Sequence, residues 1–484
     1  MSSTIISPAR PRSRPISDAP ISLLASATSG EFLSQEECKA VFDRIVGMTT
    51  GGGYTRVNII SRWSGAAKWA RTRMHVVSDT HTLYLRITRI IRGASGSAVT
   101  NRVDDDGLGQ AIRDAEEALT VRMESFESIA DPFIDEPILH PTLWDDPTYA
   151  FGAEARTTLV QSLMRGADDR GLLSAGTVRM AGDGNATIDT EGLFRYYPTT
   201  SVECSMTVRD PKGTASGWAG VNHYALSKID PTTLAATALD KCVRMANPSA
   251  VEPGRYTVIL EPQAVADLFD PIVLDPRVMD RPSVELGYGP FAGSKIGWTK
   301  IGERVLDARL MFRSDPMDPD GGFIPYDQGI GTPYQPVEWI DRGVLRQLAY
   351  EKPYALQALN LDKALPNPRS YRLSAAPGVA TSSVEAMIAH TQRGILVTRL
   401  SGVELIDPKS MLCTGYTRDG LWLIEHGKIT KPIKNFRFTE SPMFVLNKLE
   451  EIGVPQRIFT PGRAVVVPPV RVADFSFTSL ADAV

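Results

Sequence analysis

Residue types able to carry chemistry are present in this sequence, but not at spacings that gather them. The six histidines, His75, His81, His140, His223, His390 and His426, include no pair three to five residues apart, the separation that sets two imidazoles on one helix face for a metal. Cys38, Cys204, Cys242 and Cys413 are scattered and form no CxxC pair, which argues against a zinc ribbon, a dithiol redox centre or a disulfide framework. Asp315, Asp318 and Asp320 cluster, yet Pro316 and Pro319 mark a loop there. A calcium loop needs a different alternation ending in Glu, so a solvated acidic loop is expected. HExxH, HExxxH, GxSxG and GxxxxGK[ST] are absent. Gly287-Tyr288-Gly289 with Gly293 does not continue a strand-to-helix fingerprint and reads as a loop rather than a dinucleotide cradle. His390 is expected in the last turn of a helix and His426 in a turn.

Composition narrows the field further. The chain has 484 residues, 52 Lys+Arg against 56 Asp+Glu, 43% hydrophobic and 22% charged residues, enough to bury the cores of two large domains or three smaller ones. A net charge of −4 and an isoelectric point near 6.0 argue against a dedicated nucleic-acid binder, which needs a concentrated basic surface. No apolar run reaches the length of a membrane span and the N-terminus lacks the apolar core of a secretion signal, so a cytoplasmic location is expected. Residues 1–22 mix Ser, Pro and Arg with almost no acid and read as a disordered tail.

The elements that must position any site follow from periodicity. Leu83, Leu85 and Ile87 alternate with Tyr84, Arg86 and Thr88 as a strand. Arg86, Arg89, Arg92 and Arg102 are then expected on a solvated face rather than in a phosphate patch. A Gly-Ser turn is expected at 93–97, and Asp104–Asp106 cap a helix presenting Leu108, Ile112, Ala115, Leu119, Met123 and Phe126. Asp230-Pro231 opens another helix with Leu234, Ala238, Cys242 and Met245 inside, which makes Cys242 a core residue. After Pro253-Gly254 a strand runs over Tyr256–Leu260, and strands dominate from there. Ser382-x-x-Glu385 signals a capping box whose helix is closed by Gly394, followed by a strand over Ile395–Leu400. Glu425-His426-Gly427-Lys428 signals a tight hairpin. Ser441-Pro442 starts a helix burying Val445, Leu446, Leu449 and Ile452. The expected fold is α+β: an N-terminal mixed α/β domain over 23–249, then a mainly antiparallel β domain with short helices over 250–484.

The longest informative stretches are TVILEPQAVADL (257–268), KIGERVLDARLMFRSDP (300–316), PYDQGIGTP (325–333), EWIDRGVLRQLAY (338–350), RGILVTRLSGVELIDP (393–408) and TGYTRDGLWLIEHGKITKPIKNFRFTESP (414–442). In these blocks the chain resembles the TldD/PmbA family, cytoplasmic bacterial and archaeal proteins linked to zinc peptidase activity and described as modulators of DNA gyrase. The arginine strand, the GASGSA segment and the helix after Asp104 resemble the family's first domain. The resemblance implies a two-domain protein that pairs with a homologue. In the active subunit of such a pair, HExxxH and a later Cys hold zinc, with the Glu as general base; the partner subunit lacks these ligands.

Aligned without gaps after TVILEPQ, this chain places Asp270, Pro271 and Asp275 where HExxxH would stand. A proline cannot accept a proton there. Arg418 falls near the Cys ligand position, with Cys413 five residues away, and Asp327-Gln328-Gly329 departs from the family's DxEG. The bland reading of Asp270 is that it caps or ends a helix before Pro271. The resemblance therefore implies a non-catalytic subunit of the PmbA/TldE type with no metal or cofactor of its own. Zinc would sit in a TldD-like partner, and the pair would enclose a chamber for an extended peptide. One alternative is a divergent metallopeptidase or peptide-maturing hydrolase in which Asp270, Asp275 and Cys413 hold a metal. Another is a homo-oligomeric peptide-binding scaffold.

Overall fold

The computed structural model describes residues 32–119 and 138–481, so the expected tail and the helix positions Met123 and Phe126 lie outside the described residues. Helix α1 (Gln35–Met48) opens with a reciprocal cap: Glu37 donates its backbone N–H to Ser34 Oγ, and the Glu37 carboxylate accepts the Ser34 N–H at 2.7 Å. A meander follows: β1 (Tyr54–Ala70), β2 (Arg73–Ile91) and β3 (Ala94–Thr100). The turn expected at 93–97 is narrower, consisting of Arg92 and Gly93 at φ 50° and 82°. The Gly-Ser residues after it belong to β3, because Gly96 lets α2 (Asp105–Glu117) approach closely. A Cβ at Gly96 would lie 2.2 Å from the Ala115 carbonyl oxygen.

The arginines of β2 do not share one solvated face. Arg89 has the parity of Leu85 and Ile87, so it points inward, is 1% exposed, and pairs with Glu116 at 3.1 Å while donating to the Gly52 carbonyl at 2.8 Å. Asp104 caps α2 as expected, accepting the Gly107 N–H at 2.9 Å. A short turn α3 (Asp146–Tyr149), helix α4 (Ala153–Asp168), strands β4 (Leu173–Asp189), β5 (Phe194–Arg209) and β6 (Ser216–His223), and α5 (Pro231–Arg244) complete this part. The expected Asp230-Pro231 start holds, and Leu234, Ala238, Cys242 and Met245 are buried.

The first sheet runs β3-β2-β1-β4-β5-β6, antiparallel throughout. Val57, Ile59, Trp63, Ala67 and Trp69 share one parity on β1 and face helices: the first two pack with α1 and α2, the others with α4 and α5. On the other parity Asn58 donates to the carbonyls of Gln328 at 2.7 Å and Gly329 at 3.0 Å, so the C-terminal part docks there.

The C-terminal strands are β7 (Gly254–Leu260), β8 (Leu310–Ser314), β9 (Val337–Asp341), β10 (Val344–Leu345), β11 (Tyr371–Ala375), β12 (Arg393–Val397), β13 (Leu400–Asp407) and β14 (Leu412–Thr417). They continue with β15 (Leu421–Glu425), β16 (Lys428–Pro432), β17 (Phe436–Glu440), β18 (Leu449–Ile452), β19 (Gln456–Arg457), β20 (Val465–Val467) and β21 (Val470–Leu480). One sheet runs β10-β9-β8-β11-β20-β19; the other runs β13-β14-β17-β21-β7-β12-β15-β16, with β18 beside β21. Only β7–β12 and β11–β20 pair in parallel among the described strands, so the expected mainly antiparallel architecture holds. The largest core lies with these sheets and helix α6 (Pro262–Leu274), where Phe269, Phe312 and Tyr371 meet with ring centroids 5.3–5.5 Å apart.

Several local expectations shift. Ser383, not Ser382, caps the helix Val384–Ala389, which ends at His390 rather than at Gly394. The strand expected over Ile395–Leu400 breaks at Thr398 and Arg399 into β12 and β13. Helix Pro442–Asn447 stops early; Leu449 and Ile452 are buried as part of β18, because β21 offers them a ladder. The hairpin between β15 and β16 forms as expected, with His426 and Gly427 at φ 51° and 75°, the left-handed pair a two-residue turn requires. Asp318, expected in a solvated loop, is 6% exposed because Arg372 grips both its oxygens at 2.6 Å.

Candidate functional site

Helix α6 leaves β7 with Pro262 in its first turn and presents Ala264, Val265, Leu268, Phe269 and Ile272 to the core. It neither caps nor ends at Asp270. The helix passes through Pro271, whose missing N–H leaves the Asp267 carbonyl without its i+4 donor, and stops at Leu274. Asp275 is the cap, holding the start of the next turn, Pro276–Met279, by accepting the Arg277 N–H at 3.1 Å.

The structure does not bring the four site-equivalent residues into one cluster. Asp270 accepts from Tyr371 Oη at 2.8 Å and from Arg463 Nη2 at 2.6 Å. Asp275 accepts from Tyr288 Oη at 2.5 Å and from Arg277 at 2.9 Å. Burial alone would raise Asp275, but those hydrogen bonds and the Arg277 charge outweigh it and hold the carboxyl below the usual range. Arg418 follows the end of β14, with Nε 3.8 Å from Asp419, which also accepts from Arg399 at 3.2 Å. Cys413 is fully buried on β14; burial pushes its thiol up to about 11, away from the thiolate a metal would bind.

This donor set does not fit a zinc site. The Asp270 oxygens already take a guanidinium and a phenol, Pro271 offers no side-chain base, and Asp275 is committed to a helix cap. Among the described residues no group of three or more His, Cys, Asp or Glu is placed to share an ion. The Asp327-Gln328-Gly329 segment serves docking instead. Gln328 donates to Asn185 Oδ1 at 2.6 Å, its carbonyl accepts from Thr187 at 2.9 Å, and Tyr326 donates to the Asn185 carbonyl at 2.9 Å.

Sequence reasoning missed the residues that surround α6. Asp267, one turn before Asp270, has its carboxylate enclosed, accepting from Gln263 and from the Leu400 N–H, each at 2.9 Å. Burial pushes it up to about 7 against the pull of those bonds and of Arg399. Arg399 lies 4.2 Å from the Trp218 ring centre, and Trp218 meets Phe459 edge-on at 5.7 Å. Asn222 on β6 donates to the carbonyls of Thr460 at 3.1 Å and Arg463 at 2.8 Å. His223 beside it is 8% exposed; burial, then Arg457 and Lys228, push it down to about 4, so it is neutral near pH 7. An aspartate at 267 between Ala266 and Leu268 on the apolar stretch of this helix was a readable signal. The partners from β6 and the 459–463 loop had none.

Residues 253–479 match the family of PmbA/TldA metallopeptidase C-terminal domains. That segment is therefore a C-terminal domain of the TldD/PmbA family. Solved structures extend the likeness to nearly the whole fold. A candidate modulator of DNA gyrase from Thermotoga maritima superposes with a TM-score of 0.77 at 15% identity, over 91% of this chain and 100% of that one. A second such candidate, from Bacteroides thetaiotaomicron, gives 0.76 at 17% identity over 92% and 100%. TldE from Thermococcus kodakarensis gives 0.77 at 14% identity over 91% and 99%. At these identities the likeness is one of fold. No curated protein matches the chain.

Proposed function

We propose that this chain is a non-catalytic, TldE-like subunit of the TldD/PmbA family that pairs with a zinc-bearing TldD-like homologue and helps enclose a chamber for an extended peptide. The reading rests on one observation: where the family's ligands align, Asp270 is held by Arg463 and Tyr371, and Pro271 replaces the general base. This chain's contribution is shape and main-chain hydrogen bonding to an unfolded segment, while the partner supplies the metal-bound nucleophile. The division at residue 250 and a cytoplasmic location belong to the same reading. Among the described residues no helix is long and apolar enough to cross a membrane.

The test is co-expression with a homologue carrying HExxxH. The two chains are expected to co-purify, and hydrolysis of an unstructured peptide to appear only with both present. Cleavage by this chain alone, abolished by Asp270→Ala, would overturn the proposal.

A further inference from the structure

The Asp270 carboxylate occupies the place where the resemblance puts a metal ligand, and the chain already provides it with a cation. Arg463 reaches it at 2.6 Å and Tyr371 completes the shell at 2.8 Å; the three side chains are largely buried, with Arg463 at 19% and Asp270 at 16% exposure and Tyr371 at 2%. In such surroundings a charge-assisted pair is strong and a second cation nearby is strongly disfavoured.

Arg463 is also delivered to this position by a pinned loop. Phe459 N–H donates to Gln263 Oε1 at 3.2 Å and Thr460 N–H to Asn222 Oδ1 at 2.9 Å. Gly462 N–H donates to Glu203 Oε1 at 3.2 Å, the Arg463 carbonyl accepts from Asn222 at 2.8 Å, and the next residue, Ala464, donates to Ser370 Oγ at 3.1 Å. Anchors from α6, β5, β6 and the start of β11 therefore fix the backbone that carries the guanidinium.

We infer that Arg463 is the resident cation of this site: a fixed guanidinium that takes the electrostatic place of a metal ion and bars zinc independently of the ligand replacements at 270, 271 and 275. The inference relies on the proposed non-catalytic reading only for the equivalence of Asp270 with a ligand position. Its test uses this chain alone, so failure to find a partner subunit leaves it standing.

The experiment restores the ligands in the full chain with Asp270→His, Pro271→Glu and Asp275→His, and compares that graft with the same graft carrying Arg463→Met or Arg463→Lys. Zinc alone is titrated in competition with a chromophoric chelator at neutral pH, with near-ultraviolet circular dichroism confirming the fold. The Arg463→Met graft is expected to hold zinc at least tenfold more tightly than the graft that keeps Arg463, and the Arg463→Lys graft to stay weak. If the methionine variant does not fold, Arg463→Gln makes the same comparison. Equal zinc affinity with and without the guanidinium, or no zinc binding by any graft, would overturn the inference. So would natural protein that carries one zinc per chain and loses it on Asp270→Ala.

Discussion

Asn222 and Thr460 exchange hydrogen bonds in both directions: the Thr460 N–H donates to Asn222 Oδ1 at 2.9 Å, and Asn222 Nδ2 returns a bond to the Thr460 carbonyl at 3.1 Å. A third bond from the same amide nitrogen, to the Arg463 carbonyl at 2.8 Å, makes Asn222 the tie between the edge strand of the first sheet and the loop beside α6. Asn222→Ala leaves the buried Thr460 N–H unpaired, and leaves the Thr460 and Arg463 carbonyls with only the Arg463 N–H and the Thr460 hydroxyl. It is expected to lower stability by about 2–3 kcal/mol in urea unfolding, with Asn222→Asp intermediate because it keeps only the acceptor.

Asp267 gives the fold a pH dependence of unusual sign for a carboxylate. Its folded value of about 7 lies above the ordinary 3.8, so the folded state holds the proton more tightly between those limits. Stability from this group is complete below pH 4 and is lost as pH rises toward 7, at a slope approaching about 1.4 kcal/mol per pH unit. Asp267→Asn is expected to be more stable than the natural chain at pH 8 and equal to it near pH 4, as read by chemical denaturation at both.

His223 works in the opposite direction. Its folded value of about 4 lies below the ordinary 6.5, so the folded state resists protonation and stability falls as pH drops from 6.5 toward 4. Across pH 4 to 6.5 the two groups therefore offset one another. His223→Asn, which keeps an acceptor for the Ala225 N–H, is expected to lose the acid-side decline and to steepen the net fall in stability toward neutral pH. A natural chain with the same slope as the variant in that window would refute the assignment.

Two glycines should respond to alanine with opposite sign. Gly47 lies in α1 with nothing within 4 Å of the point an added methyl would occupy, so Gly47→Ala is expected to stabilise by about 0.5–1 kcal/mol through helix propensity. Gly96→Ala would drive a methyl against the α2 backbone and is expected to destabilise by about 1–3 kcal/mol or more. Thermal melts of the two variants check both.

What could be read from the sequence was local. Asp230-Pro231 announced α5, and His426-Gly427 announced the β15–β16 turn, because each signal sits within the few residues that form the element. Leu449 and Ile452 kept helical spacing yet joined β18, since the ladder that claims them is supplied by Val470 and Val472 on β21, beyond the reach of local spacing. Arg89 was legible in principle from its parity with Ile87. The Asp270–Arg463 pair, 193 positions apart in sequence, leaves no trace in local spacing; only the fold could report it. His223 is alike in part: burial lowers it most, and of the cations beside it Arg457 is remote in sequence while Lys228 is local.

The four cysteines, all buried and none in a disulfide, have a practical consequence. Cys38 on α1 faces the core shared with α2, Cys204 on β5 and Cys242 on α5 lie in the core shared with α4, and Cys413 lies on β14 in the nine-stranded sheet. Each thiol can meet a modifying reagent only when its own region opens, so labelling followed by mass spectrometry gives a clock for each layer. The protein thus carries native reporters for whether its regions come apart together or in sequence.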